Sequence, residues 1–203
     1  MSAVNVYIDG ENFRHRLVSA LLHDHLIPGA HEPFQFNIPA LLELALGERP
    51  EHVNYYTSRV KQPKFPIPEK LTAQIESIHE VNRRWIAELT NQGINVIKAG
   101  FLKVHDSTRC IHCGEKTLIL QEKGVDVRLA TDMVLAAAQD HIEHIVVLSS
   151  DADMIPAINH VRENSTKITY LCFDEELNKA VAACVDDTRT YSREDIIRIF
   201  KER

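Results

Sequence analysis

Asp9 and Asp151 each stand directly after a short apolar run rich in β-branched residues, Val4–Ile8 and Ile145–Leu148, and Asp153 follows two residues behind the second. A carboxylate in that place can cap the helix that follows its strand. Alternatively the two can converge and hold a cation. Two unit charges about 4 Å apart repel by a few kcal/mol, roughly 4, at an effective dielectric near 20, so convergence demands a compensating ion. Ligation by oxygen alone, with no paired His or Cys, suits Mg²⁺ or Mn²⁺ rather than zinc. Such an ion activates water for attack on a phosphodiester. The chain shows no Ser-His-Asp or Cys-His arrangement that would supply a side-chain nucleophile instead. Asp126 and Asp132 flank the start of a helical stretch. Six residues apart, they lie about 120° apart around a helix. They share a site only if Asp126 is at the N-terminus and Asp132 turns in from the next turns. Asn12, one helical turn after Asp9, would orient an aspartate or a water through its amide, and a plain surface Asn fits the same position.

Two further groups invite a chemical reading. Tyr55, Tyr56, Arg59, Lys61 and Lys64 form an aromatic and basic stretch after a second strand. Bases would stack on the rings while the cations hold phosphates; a buried Tyr pair followed by a solvated loop fits as well. Cys110 and Cys113 are half of a zinc knuckle. A structural Zn²⁺ needs about four ligands, so His105, His112, Cys172, Cys184 or a partner chain would have to complete it. A reduced, unliganded turn is the favoured alternative, with a redox pair as the third. The eleven histidines are scattered with no metal-binding spacing, and Arg83-Arg84 reads as the solvated face of a helix.

The elements that must position these residues alternate. Strands are expected at Val4–Ile8, Val53–Thr57, Ile94–Ile97, Ile145–Leu148 and Ile168–Cys172. Helices are expected over Asn12–His23, Ile38–Leu46, Glu69–Asn91, Asp126–Gln139, Ile155–Val161, Glu175–Ala183 and Arg193–Lys201, from apolar residues recurring at helical spacing. Strand-helix alternation predicts an α/β fold: a mostly parallel central sheet with helices on both faces. In such sheets ligands bind beyond the carboxyl ends of the strands, which is where Asp9 and Asp151 fall. The Gly100–Lys123 stretch, with a turn near Cys110–Gly114, reads as an inserted hairpin.

Composition sets outer bounds. The 203 residues carry a net charge of −6 and 44% hydrophobic side chains, ordinary for one globular domain and too acidic for a passive nucleic-acid coat. The charge is uneven. From Arg59 to Lys123 there are 11 Lys and Arg against 7 Asp and Glu, and the remainder carries ten net negative charges. The N-terminus lacks a signal-peptide pattern, and no apolar run reaches the roughly 20 residues of a membrane span. The expected setting is the cytoplasm, with reduced cysteines. A homo-oligomer is compatible with all of this.

Three blocks then carry a resemblance. Val-Tyr-Ile-Asp9-Gly-Glu-Asn12 resembles the D-G-x-N opening of the NYN domain, a branch of the PIN-like nuclease superfamily. Lys123-Gly-Val-Asp126-Val, followed by Leu129-Ala-Thr-Asp132-Met, resembles the K-G-V-D…D signature of its LabA-like branch. Val146-Val-Leu-Ser-Ser-Asp151-Ala-Asp153 resembles the S-G-D-S-D-F segment after the fourth strand. The blocks occur in family order. The resemblance implies a Rossmann-like PIN fold over residues 1–203 and Mg²⁺- or Mn²⁺-dependent hydrolysis, usually of RNA. It also implies an acidic set of Asp9, Asp126, Asp132 and Asp151, supported by Asp153 and Asn12. Met154 stands in place of the usual Phe, Ser150 replaces a Gly, and Asn164-Ser165 replaces another; no carboxylate is missing. Two other functions remain open: a non-catalytic RNA- or protein-binding module, and a phosphatase-type hydrolase using Asp9. The second normally needs D-x-D, and Glu11 occupies its second position. A dinucleotide-binding oxidoreductase is disfavoured, since no G-x-G-x-x-G follows the first strand.

Overall fold

The computed structural model describes residues 4–29, 34–61, 67, 69–106, 118–139 and 141–202. The chain opens with β1 (Val4–Asp9), α1 (Gly10–His23), α2 (Ile38–Leu46), β2 (His52–Val60), α3 (Glu69–Asn91) and β3 (Asn95–Asp106). It continues with β4 (Leu118–Lys123), α4 (Val125–Ala137), β5 (His144–Leu148), α5 (Ile155–Glu163) and β6 (Lys167–Phe173). It closes with α6 (Lys179–Ala182), β7 (Asp187–Tyr191) and α7 (Arg193–Lys201).

All seven strands join one sheet in the order β4-β3-β2-β1-β5-β6-β7. Neighbours run parallel except β4, which is antiparallel to β3 at one edge. The central strands are buried on both faces, which is why their sequences are near-continuous apolar runs, interrupted in β1 by the buried Asn5, rather than alternating ones. Val4, Val6 and Ile8 face a core shared with Phe13 and Leu17 of α1, Leu41 of α2, Trp85 of α3 and Phe200 of α7. Tyr7, Ile145 and Val147 face the opposite core, with Leu129 and Met133 of α4, Ile158 of α5 and Val181 of α6. Among the described residues no helix is long and apolar enough to cross a membrane.

The α/β architecture with helices on both faces matches the sequence expectation, and its departures have physical causes. β7 was not anticipated: Asp-Thr-Arg-Thr-Tyr is polar, and at the sheet edge only Tyr191 needs to be buried. The helix expected over Glu175–Ala183 breaks into a 3₁₀ turn at Asp174–Glu176 and the short α6, because Asn178 caps a new start with its side chain. β2 and β3 run past their expected ends, to Val60 and Asp106. The Gly100–Lys123 stretch supplies the end of β3 and all of β4; the turn read at Cys110–Gly114 lies outside the described residues.

The chain order places the site. From β1 the chain builds outward through β2 and β3 to β4, then α4 crosses back and β5 pairs with the other side of β1. Strand order therefore reverses between β1 and β5. The crevice at their carboxyl ends is where a doubly wound sheet takes its ligand.

Candidate active site

Asp9 ends β1 and caps α1: its Oδ1 accepts the backbone N–H of Asn12 at 3.2 Å. The helix can start flush against β2 because the next residue is Gly10. A Cβ there would run into the Tyr55 ring and the Tyr56 carbonyl. Tyr55 locks the junction from below, donating its hydroxyl to the Gly10 carbonyl at 2.6 Å and receiving the Trp85 indole N–H at 3.0 Å.

Across the crevice, β5 is followed directly by Ser149, whose hydroxyl donates to Asp9 Oδ2 at 3.3 Å and accepts the Asp151 N–H at 3.3 Å. One buried hydroxyl thus fastens the two strand ends together. Asp151 caps a 3₁₀ turn, Ala152–Met154, with its Oδ1 accepting from Asp153 N–H at 2.9 Å. Both aspartates that sequence reasoning divided between capping and ion binding do cap. A carboxylate offers about four lone-pair sites, so capping leaves them able to bind an ion. Behind Ser149, Tyr170 donates to Ser150 Oγ at 3.1 Å, and the Asn178 amide donates to the Ser150 carbonyl at 3.0 Å.

The third carboxylate comes from α4. Gly124 takes a left-handed conformation, φ 89°, which turns β4 sharply into the helix and puts Asp126 in its first turn. The electrostatics bring the three together. Burial, helped by the charges of Asp126 and Asp151, raises the Asp9 carboxyl to about 6 against its hydrogen bonds. Asp126 is raised by desolvation and then by Asp151 and Asp153. Sequence reasoning missed a fourth member, Glu122. Burial lifts it to about 7, with Glu11, Asp9 and Asp126 adding repulsion and a Ser58 hydrogen bond opposing. It was hidden in a stretch read as an insertion; the one signal was its place just before the Gly124 turn. The charges acting most strongly on Asp9, Asp126 and Glu122 are all negative.

The other sequence candidates scatter. Asp132 stands apart, roughly 9 Å further along α4 at 1.5 Å per residue. It accepts from Arg128 Nε at 2.8 Å and from the Tyr56 hydroxyl at 3.0 Å. The 120° separation noted in the sequence turns it toward β2 rather than into the crevice. Asn12 contacts Asp9 through its backbone, not through the amide anticipated for it. Tyr55 and Tyr56 are 2% and 1% exposed, so neither ring offers a face to a base, contrary to the stacking expected of them. They alternate across the sheet into the two cores, Tyr56 stacking on Tyr7 with centroids 6.3 Å apart. Arg59 and Lys61 are exposed, the Lys61 ammonium lying 3.9 Å from the Phe101 ring centroid. Lys64, Cys110 and Cys113 lie outside the described residues.

The donor set, carboxylates only, fits a hard divalent cation. Among the described residues no three His, Cys, Asp or Glu side chains form a ready-made metal cage. Mg²⁺ characteristically uses only one or two carboxylates and fills its shell with water and phosphate oxygens, which an open rim of capped aspartates can accommodate.

A family model described as NYN domain matches residues 3–191. No curated protein matches the chain. Among solved structures, a protein of unknown function from Vibrio parahaemolyticus shares the fold, with a TM-score of 0.58 at 13% identity, over 93% of this chain and 92% of that one.

Proposed function

The chain belongs to the NYN domain family, within the PIN-like nuclease superfamily, and on that premise we propose that it hydrolyses phosphodiester bonds of single-stranded RNA. Mg²⁺ or Mn²⁺ would be held by Asp9, Asp126 and Asp151, with Asp153 in support. The observation that carries this is the gathering of negative charge from β1, α4 and β5 at the strand-order switch, with repulsion left uncompensated at Asp9 and Asp126. The Lys123-Gly-Val-Asp126 block favours the LabA-like branch, and the whole chain is read as one such domain. The free thiols of Cys172 and Cys184 accord with a cytoplasmic setting.

Such an ion, when bound, lowers the pKa of a water and offsets charge developing on the phosphate. The chain's own groups do the rest. Ser149 and the Asn12 N–H hold the Asp9 carboxylate in one orientation. Asp126 projects from the first turn of α4, where the helix dipole favours its charge. Glu122 stands beside this set, its carboxyl in the metal-free protein raised to about 7 mainly by burial.

Asp9→Asn tests the reading. Loss of one charged ligand removes several kcal/mol of transition-state stabilisation, on the order of 100-fold or more in rate. Cleavage of a labelled single-stranded RNA in Mn²⁺ should fall by that much. Mn²⁺ should also raise the Tm of the wild type and leave that of the variant unmoved. Wild-type and variant traces that match, active or blank, would overturn the nuclease assignment. A phosphorylated Asp9 trapped with a phosphomonoester would replace it with a phosphatase.

A further inference from the structure

Between the β2–β3 strands and α3 lies a cavity of about 640 Å³, lined by Ser58, Arg59, His79, Asn82, Arg83 and Lys98 among others, with no carboxylate among the described residues that line it. A smaller one of about 250 Å³ shares Ser58 and Asn82 with it and reaches Glu11, Arg14 and Glu122. The two share a wall, Ser58 and Asn82, and together their linings run from α3 to the carboxylate rim. We propose that this cleft binds the phosphodiester backbone of a single RNA strand and delivers it to the rim, an inference that rests on reading the rim as a nuclease centre.

Four observations converge on an anionic chain as the ligand. Arg59 and Lys98 are exposed and enter no ion pair among the described residues. Arg83 and Arg84 share the single carboxylate of Glu80, which leaves one net positive charge on that part of α3. Where the cleft meets the rim, Arg14 has Nε and Nη2 buried with no hydrogen-bond partner. Unmet guanidinium donors beside a cavity fit phosphate oxygens, which they can bind bidentately. Phe101, the register partner of Arg59, carries the Lys61 ammonium at 3.9 Å and that of Lys103 at 5.7 Å over its ring, which keeps two further cations on this flank of the sheet. The alternative exit from the rim, past the ends of β5 and β6, is bordered by Asp151, Asp153, Asp174 and Glu175, with Glu176 paired to Arg16. Phosphates are repelled there. Arg83 and Arg84 are solvated, as read from the sequence, and Arg83 also lines the cleft.

The test is binding of fluorescein-labelled 12-mers, RNA and DNA of one sequence, to the full chain in EDTA, where cleavage is silent, over a range of salt concentrations. Arg59→Ala with Lys98→Ala is compared with Arg162→Ala with Lys167→Ala, cations that line a cavity at the opposite end of the sheet. Both first-pair side chains are exposed, and an unchanged Tm checks that folding is intact. The first pair should weaken RNA binding about 10-fold at ~0.1 M salt and flatten the salt dependence by about 1.4, two phosphates at roughly 0.7 each. The second pair should do neither, and Arg59→Lys with Lys98→Arg should restore binding. Wild-type affinity and slope in the first pair, equal losses in both pairs, or no binding by the wild type would overturn the proposal. Loss confined to the DNA strand would overturn the RNA assignment. The two levels separate in Mn²⁺. Cleft-dependent binding without any cleavage keeps this proposal and sinks the nuclease; cleavage indifferent to the cleft does the reverse.

Discussion

On the β2–β3 side of Asp9, Arg59 and Lys98 line the cleft beneath α3 and Lys61 lies over the Phe101 ring; on the β5–β6 side stand Asp151, Asp153, Asp174 and Glu175, with Glu176 paired to Arg16. Strand length accounts for much of the contrast. Asp9 pairs with Tyr56, yet β2 continues to Val60 and β3 to Asp106, so a wall with cations on it rises past the carboxylates. β5 stops at Leu148, level with Ile8, and its 3₁₀ turn delivers acid instead. One edge of a single sheet thus offers a phosphate chain an attractive approach and a repulsive one.

Charge exchange across the centre is the strongest way to break this contrast. Arg59→Glu with Lys98→Glu should lower single-stranded RNA affinity on the order of 100-fold at about 0.1 M salt. Glu175→Lys on the other flank should raise it by no more than about threefold. Comparable and opposite shifts would mean that the strand lies across both flanks. Next in size is Gly10→Ala, at the seam between them. The added methyl must displace the Tyr55 ring or the β2 backbone, which should cost about 1–3 kcal/mol in a urea titration and dislodge Asp9 with it. Wild-type stability there would show that the seam is slack.

The smallest effect concerns pH in metal-free protein. Asp9 rises from 3.8 to about 6 and Glu122 from 4.5 to about 7, burial being the main cause of each. Folded pKa values above the unfolded ones mean that the folded chain holds these protons more tightly. The stability they contribute is complete below about pH 4 and is lost as pH rises through 6 and 7. Asp9→Asn should therefore be more stable than wild type at pH 8 by about 1–3 kcal/mol, with the gap closing toward pH 4. Glu122→Gln should follow with a smaller gap, since water screens its less buried carboxyl. Thermal unfolding in EDTA at pH 4, 6 and 8 reads this out, and a gap that widens on acidification would contradict the burial assigned to both groups.

Much of this was legible before any coordinates. Residues such as Ile38–Leu46, Glu69–Asn91 and Arg193–Lys201 declare their helices through apolar spacing, and the observed bounds are the same. β7 and the split before α6 were not legible, because a polar edge strand and a four-residue helix bury too little to leave a pattern. For the candidate site, strand endings and motif point to Asp9, Asp126 and Asp151, and the structure places them at the end of β1, in the first turn of α4 and just after β5. Tyr55 and Tyr56 misled because adjacent strand residues point to opposite faces, and here both faces are core.

What the sequence determined by itself was the set of elements, their alternation, and the carboxylates at strand and helix ends, all properties of near neighbours in the chain. Even the concentration of positive charge between Arg59 and Lys123 could be counted there. Only the tertiary structure decided that Glu122 joins Asp9, that Asp132 goes to Arg128 and Tyr56 instead, and that Arg59, Arg83 and Lys98 line one cleft. The reason is that burial and Coulomb energy depend on distance through space. The crossing of α4 from one edge of the sheet to β5 brings residues 9, 122, 126 and 151 together, and no local pattern encodes that path.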